Sequence, residues 1–585
     1  MPRPSERRAV GTGVGNVACR ICGGAAALRY AGAPGTLAPD DLSPTSHPLG
    51  THADILRCRE CGGLQQPALA ERTDLTDLYR DMRDEAYLSE NLGRRRTAER
   101  LLDLVGAQMP GGRLLDVGAG HGLMLDEARR RGYETIGLEV SMAAAAFARD
   151  SLGLDVRETT IEALDDAERF DVITLVDVLE HLPDPPATIA RCRDLLGPGG
   201  LLCVVTPDPS SLTARMLGRR WWALVPAHTY LIPRRTLLEL LAGSGLAVVT
   251  DVPYVRTFSV GYWFAGLAER SRRLARPGGA LARAIGERVS LSLPLGDERV
   301  ILATRVQRLT PARPLVKDRG GAAKVHVVLP AYNAAKTIPE VARRLPTGAA
   351  DRALLVDDAS TDETSSVALR EGFEVIRHPS NRGYGANQKT CYVRAALDGA
   401  DVVVMVHADS QYDPALIGEM AQPIVDGHAD VVIGSRLLED NAIIGGMPRW
   451  KWLGNRLLTA VENRVFRRDY SEYHTGYRAY SVEFLRTVAF LRNSDGFVFD
   501  QEIFAQIVHS GARVTELPIP TKYFLEASSV SFAVSVDYGL RTLWVLARFR
   551  AHRRLRCWAL LRAPAAHLEP ERDAQRQMAG DPAPR

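Results

Sequence analysis

Three groups of residues have types and spacings that could do chemistry. The first is His407, Asp409 and Gln411, inside the stretch Val402–Pro414, VVVMVHADSQYDP. Alternate residues of an extended segment point the same way, so these three can face one metal ion. Oxygen donors suit magnesium or manganese, and manganese also accepts an imidazole. The second is Cys19-Arg-Ile-Cys22 with Cys58-Arg-Glu-Cys61. Two C-x-x-C pairs aim four thiolates at one ion, which describes a closed, structural zinc site. The third is Gly118, Gly120 and Gly122 in GRLLDVGAGHG, with Glu139 about one βαβ step later. Glycines let the backbone approach a ligand, and a carboxylate at the next strand end can accept both hydroxyls of a ribose. Each group also has a plain reading: a solvated acidic turn, unliganded cysteines, a tight turn.

These residues need elements to position them. Val402–Val406 is a short apolar run bounded by turn residues, which predicts a strand buried on both faces. Its polar tip then lies at the carboxyl end of an open α/β sheet, where such sheets bind ligands. In the first half, strands are expected over Leu114–Val117, Thr135–Leu138, Leu201–Val205 and Arg299–Arg305. Another runs from Phe170 into the acidic stretch before Pro185. Helices are expected over Tyr79–Leu104, Leu123–Arg131 and 187–196. In the second half, Lys324–Asn333, broken by Pro330, and the runs Ala353–Asp358, Phe373–Arg377 and Asp430–Arg436 read as strands. Helices are expected over 335–344, Asn387–Leu397 and Tyr538–Arg556, with Ser360 or Thr361 placed to cap the helix after Asp358. Alternating strands and helices mean mostly parallel sheets, so the fold class is α/β: two doubly wound domains with a small N-terminal zinc module.

A chain of 585 residues is too long for one core. All six lysines, from Lys317 to Lys522, lie in the second half, and every earlier basic residue is arginine. The change falls at 309–323, which is rich in Pro, Gly and charge and reads as a linker. The expected units are a disordered start (1–16), a zinc-binding module (17–74), a first α/β domain (75–308), the linker (309–323), a second α/β domain (324–535), a basic amphipathic helix (536–562) and a disordered tail (563–585). The net charge of +3 is too small to argue for nucleic acid. No apolar run has bilayer length and the N-terminus lacks a signal-peptide core, so a cytoplasmic protein is expected. The basic helices leave peripheral contact with the inner face of a membrane open.

In the first half the segments DVGAGHG, FDVI with LEHLPDP, and LGPGGLL follow one another in the order of class I S-adenosylmethionine-dependent methyltransferases, which residues 75–305 resemble. The resemblance implies that Gly118, Gly120 and Gly122 pack against the methionine part of the cofactor. Asp116 would sit beneath it, Glu139 would hold the ribose and Glu162 would lie near the adenine. A hydroxyl acceptor would need a base, for which His181 and His228 are candidates. The double C-x-x-C module is similar to that of methyltransferases acting on sugars and small metabolites.

In the second half PAYN, VDDASTDET, NRGYGA and GSR resemble family-2 glycosyltransferases of the GT-A fold, nearest the dolichyl- and polyprenyl-phosphate sugar synthases, over residues 324–535. The resemblance implies a nucleotide-diphosphate sugar donor, with Pro330 and Tyr332 at the base and Asp357 or Asp358 at the nucleoside. Asp409 would meet the diphosphate through magnesium or manganese, flanked by His407 and Gln411. The family usually has Asp where His407 stands. Arg436 and Arg478 would bind phosphate oxygens or form structural ion pairs. The synthases' final Arg and Lys are absent from the segment 522–530, which leaves a lipid-phosphate, sugar or small-metabolite acceptor open. An inverting transfer to a hydroxyl would use Glu472 or Asp500 as base. The expected whole is a bifunctional transferase in cell-surface glycan or glycosylated-metabolite assembly. Its rivals are an active glycosyltransferase with a degenerate methyltransferase serving as a binding module, and a membrane-surface scaffold with both sites inactive.

Overall fold

A computed structural model describes residues 17–32, 42, 52–70, 75–82, 88, 90–260, 290–293, 295–316, 320, 323–438, 447–520 and 532–562. The expected disordered start and tail, and the segment 522–530, lie outside these residues.

In each half the short apolar runs form the strands of one sheet. The first sheet has seven, in the order Leu246–Pro253, Glu298–Arg305, Leu196–Pro207, Phe170–Val176, Arg113–Val117, Glu134–Leu138, Val156–Arg157. The last five run parallel, and Glu298–Arg305 is antiparallel to both of its neighbours. Side chains alternate across the sheet: Leu115 and Val117 join one core and Leu114 the other. Burial on both faces is why these strands read as unbroken apolar runs.

The second sheet has eight strands, in the order Arg308–Leu309, Glu374–Arg377, Arg352–Asp357, Val325–Ala331, Val402–Met405, Arg478–Ser481, Val431–Ser435, Val514–Pro518. The second to fifth are parallel, and Arg478–Ser481 inserts antiparallel between Val402–Met405 and Val431–Ser435. Again Val327 and Leu329 face one core and Val328 the other. The helix Phe532–Leu555 packs Val545, Leu546 and Phe549 into the core of this half, while Leu540, Leu543 and Trp544 stay exposed.

Four expectations shift. The helix expected over Tyr79–Leu104 is two helices, Leu75–Asp81 and Asn91–Gln108. Ser360 caps nothing: the helix begins at Thr364, and the Ser360 hydroxyl accepts from the backbone of Asn333 instead. The linker is shorter than read, because Arg308–Leu309 pairs with Val375 and Ile376 and Val316 is buried. Finally, the cysteine module does not end at residue 74. Its sheet takes a fifth strand, Tyr230–Leu231, from the middle of the first α/β unit, paired with Leu64–Gln65.

Candidate functional site

At the carboxyl ends of the first sheet, the glycine turn and the acidic strand end meet. The backbone N–H groups of Gly118 and Ala119 donate to Leu138 O, and Gly120 N–H donates to the Glu139 carboxylate at 2.7 Å. Glu139 also accepts from Ser141 N–H at 2.7 Å, so one buried carboxylate bridges the glycine turn and the next helix start. Burial pushes its pKa up, and the N–H donors pull it back. Gly118, Gly120 and Gly122 all have positive φ. At Gly122 a Cβ would also meet Leu154 and Ala148 at 2.7 and 3.0 Å, so only glycine serves there. Asp116 lies beneath, buried, accepting from Thr174 Oγ1 at 2.7 Å, and burial pushes it up to about 7. A cleft of about 230 Å³ opens beside Glu139, lined by Arg80, Val140, Glu158, Thr159 and Thr160. Arg80 comes from a helix remote in sequence and was not legible as part of the site. Glu162 is exposed on a single helical turn, 3.5 Å from Thr188 Oγ1.

Past the end of strand Phe170–Val176, Asp177 takes a strained φ of 55°. The turn that follows carries His181, whose ring stands edge to face with His228 at 4.8 Å between centroids. The two histidines expected as bases are therefore neighbours. Tyr79, which the sequence did not single out, reaches His181 Nδ1 at 2.7 Å. Glu180 is also present and buried, held far above the usual carboxylate range by burial and by Asp177.

Strain also clusters at the strand ends of the second sheet. Asn333, Ala359 and Ser410 have φ of 51°, 58° and 59°. The Ser410 turn corrects one expectation. Residues 407–411 are not extended, and Gln411 meets Asp409 through its backbone N–H at 3.0 Å rather than by alternation of side chains. His407 Nδ1 lies 3.9 Å from the Asp409 carboxylate. Its Nε2 is 3.0 Å from the Tyr384 hydroxyl, which donates to Asp500 at 3.3 Å. Asp500 also accepts from Gln388 and from Arg478. The structure thus joins His407, Asp409 and Asp500 through Tyr384, a residue of the NRGYGA segment that the sequence did not single out. Gly476 admits the His407 ring: a Cβ there would lie 2.3 Å from Nε2.

Other candidates have structural partners. Glu472 is fully buried, and both of its oxygens are taken by Arg436 (backbone and guanidinium) and Asn455. Burial alone would raise its pKa, but Arg436 holds it below the ordinary value. It is the anchor of a buried ion pair, not an exposed base. Arg436 is correspondingly occupied, and Arg478 is buried against Asp500 and Tyr473 O, so both arginines take the ion-pair reading. Asp357 accepts from Ser360 N–H and Ser365, and Asp358 from His378 and the N–H groups of Arg382 and Gly383. Burial opposes these bonds, yet they hold Asp358 below the usual carboxylate range. The two aspartates fix the loops at the carboxyl end of their strand. Tyr332, half exposed, stands at their edge, next to the strand end at Pro330.

In the N-terminal module the Sγ atoms of Cys19, Cys22, Cys58 and Cys61 lie within 4.8 Å of one another. None is in a disulfide, and backbone N–H groups of Glu60, Cys61 and Gly63 point at two of the sulfurs. This donor set fits zinc.

Comparison with known proteins accords with the two halves. The family described as "Methyltransferase domain" matches residues 89–251, and "Glycosyl transferase family 2" matches residues 326–489. An uncharacterised protein of Methanocaldococcus jannaschii is 30% identical over 223 residues, 38% of this chain and 90% of that protein. A ubiquinone biosynthesis O-methyltransferase of Cereibacter sphaeroides is 37% identical over 147 residues, 23% of this chain; the chain spans 60% of that relative's length. Among solved structures, glucosyl-3-phosphoglycerate synthase of Mycobacterium tuberculosis, in complex with Mn2+, uridine diphosphate and glucosyl-3-phosphoglycerate, superposes with a TM-score of 0.32 at 15% identity. It covers 40% of this chain and 82% of that one. No helix among the described residues is long and apolar enough to cross a membrane.

Proposed function

The chain belongs to the family 2 glycosyl transferases through its second half and carries a methyltransferase domain in its first, and from that premise we propose one polypeptide with two working sites acting on one class of product. The first transfers methyl from S-adenosylmethionine to a sugar or small metabolite. The second transfers a sugar from a nucleotide diphosphate to an acceptor, with inversion. The product class in mind is a cell-surface glycan or glycosylated metabolite. The observation that carries this reading is that both strand-end sites keep their parts together: the glycine turn with Glu139, and His407 with Asp409 and Asp500.

For methyl transfer, Gly118, Gly120 and Gly122 admit the cofactor closely, Glu139 receives its ribose, and Asp116 lies beneath. Glu162 stands further out, near the adenine side. Bound S-adenosylmethionine supplies the methyl group. The chain's own work is alignment of donor and acceptor, and removal of a proton from a hydroxyl acceptor at His181 or His228. For glycosyl transfer, Pro330 and Tyr332 border the base, and Asp357 and Asp358 hold the loops around the nucleoside. Asp409 and His407 are the donors for magnesium or manganese, whose charge would offset that of the leaving diphosphate. Asp500 is the base at the acceptor. The four cysteines hold a structural zinc. Exposed Trp450, Leu453 and Leu457 on one helix and Leu540, Leu543 and Trp544 on its neighbour, among basic residues, favour peripheral contact with an anionic membrane by a cytoplasmic enzyme. Residues 17–74 and 75–308 work as one catalytic unit, 324–562 as the other.

A panel of nucleoside diphosphates scored by thermal shift tests the second site. A shift that needs manganese or magnesium is expected. The absence of a shift with every nucleotide in either metal would rule the glycosyl-transfer site out and leave a scaffold.

A further inference from the structure

We propose that Glu180, His181 and His228 bind a divalent metal ion, zinc by the chemistry of the donors, in the methyl-transfer half of the protein. One ligand atom of each residue lies within 4.8 Å of the others. Both rings are hydrogen-bonded through Nδ1. His181 Nδ1 faces Ala227 O at 3.0 Å and His228 Nδ1 faces Ala223 O at 2.8 Å. A carbonyl oxygen only accepts, so in each neutral ring the proton sits on Nδ1 and the lone pair on Nε2. A backbone carbonyl on the far nitrogen is how proteins commonly fix a metal-binding imidazole. Tyr79 braces the His181 ring from the same side.

Glu180 supplies the independent observation. Its side chain is 1% exposed, Oε2 accepts from Thr206 Oγ1 at 3.0 Å, and Oε1 has no hydrogen-bond partner among the described residues. A buried carboxylate oxygen without a partner is costly, and a cation in front of it removes that cost. Two imidazoles and one carboxylate form a zinc donor set that leaves a fourth position open, unlike the four cysteines.

The site is also held in place from outside. Gln66 Nε2 donates to Val225 O and His228 O, and Gln66 N–H donates to Thr229 O. With the Tyr230–Leu231 strand, these bonds tie the His228 segment to the cysteine module. That module therefore has a mechanical role: it sets the position of one ligand of the second metal. The role of the ion rests on the methyl-transfer reading: with both imidazoles ligating, neither is the base, and the ion takes that part, since an acceptor oxygen in the open position would lose its proton more readily. The binding site itself does not depend on that reading.

The test is a zinc count on the full chain, stripped with chelator, reloaded with excess zinc sulfate and desalted. Two zinc ions per chain are expected, falling to one in His228→Gln, one in Cys58→Ser and none in the double variant. One ion in the wild type, or two in His228→Gln, would overturn the proposal. Cobalt reads the same question without a substitution. Thiolate charge-transfer absorption should saturate at one equivalent while the d–d bands grow to two. If both stop at one equivalent, the triad binds no metal. A chain with two zinc ions that fails to bind S-adenosylmethionine would instead refute the methyl-transfer reading and leave the site standing.

Discussion

Gly476→Ala probes the proposed diphosphate side through its contact with one ring. An added Cβ would lie 2.3 Å from Nε2 and 2.4 Å from Cε1 of His407. The ring cannot swing clear, because Tyr384 and Tyr412 stand edge-on to it at 5.7 and 5.4 Å between centroids. Forcing a methyl group into such a space costs about 1–3 kcal/mol. For a domain of this size that lowers the melting temperature by about 2–12 °C. An Asp at position 407 has no atom where Nε2 and Cε1 lie. The penalty for Gly476→Ala should therefore shrink by at least about 1 kcal/mol in a His407→Asp background, a coupling that a double-mutant cycle reads from four denaturation curves. The manganese-dependent shift with nucleoside diphosphate should be lost in Gly476→Ala and return in the double variant. An equal penalty in both backgrounds would refute the argument, since the clash would then not be with the His407 ring.

Three further outcomes are expected. Asp409→Ala should cut glycosyl transfer at least about 100-fold while His407→Asp retains it, because only the first removes the carboxylate from the metal; full turnover in Asp409→Ala would end the assignment. Glu472→Gln should destabilise the second half by about 3–5 kcal/mol in denaturant, since it leaves Arg436 buried without its partner. Lost transfer with unchanged stability would return Glu472 to the role of base. Asp116, held at about 7 by burial, binds its proton more tightly in the folded chain than in the unfolded one. The stability it contributes is fully present below about pH 4 and is lost as pH rises through about 7. Cofactor-free Asp116→Asn should flatten that part of the melting-temperature profile and be the more stable protein at pH 8; an unchanged profile would contradict the burial argument.

What the sequence made legible follows from range. Strands such as Arg113–Val117 and Val402–Met405 announce themselves as apolar runs because both faces are buried. Gly120 and Glu139 lie 19 residues apart, within one βαβ step, so their nearness at adjacent strand ends was expected from local order, while the hydrogen bond between them was not. Glu472 looked like a base because its partner Arg436 is 36 residues away, and nothing local says that both will be buried together. Tyr384 was visible only as part of a glycine turn; its hydroxyl reaches Asp500, 116 residues on. Tyr79 meets His181 across 102 residues. The Ser410 turn defeated the alternation argument because a single left-handed residue reverses the face that follows it. The two-residue strand Tyr230–Leu231 is too short to carry any periodic signal, and yet it fastens the cysteine module to the first half.

The claim that one chain holds two working transferase sites is tested most directly by titrating S-adenosylmethionine into the full-length protein in a calorimeter. One site per chain is expected, weakened about 10–100-fold in Glu139→Gln, which exchanges the proposed charged ribose acceptor for a neutral amide. No heat of binding, or binding untouched by Glu139→Gln, would contradict the account and leave the first half as something other than a methyltransferase at work.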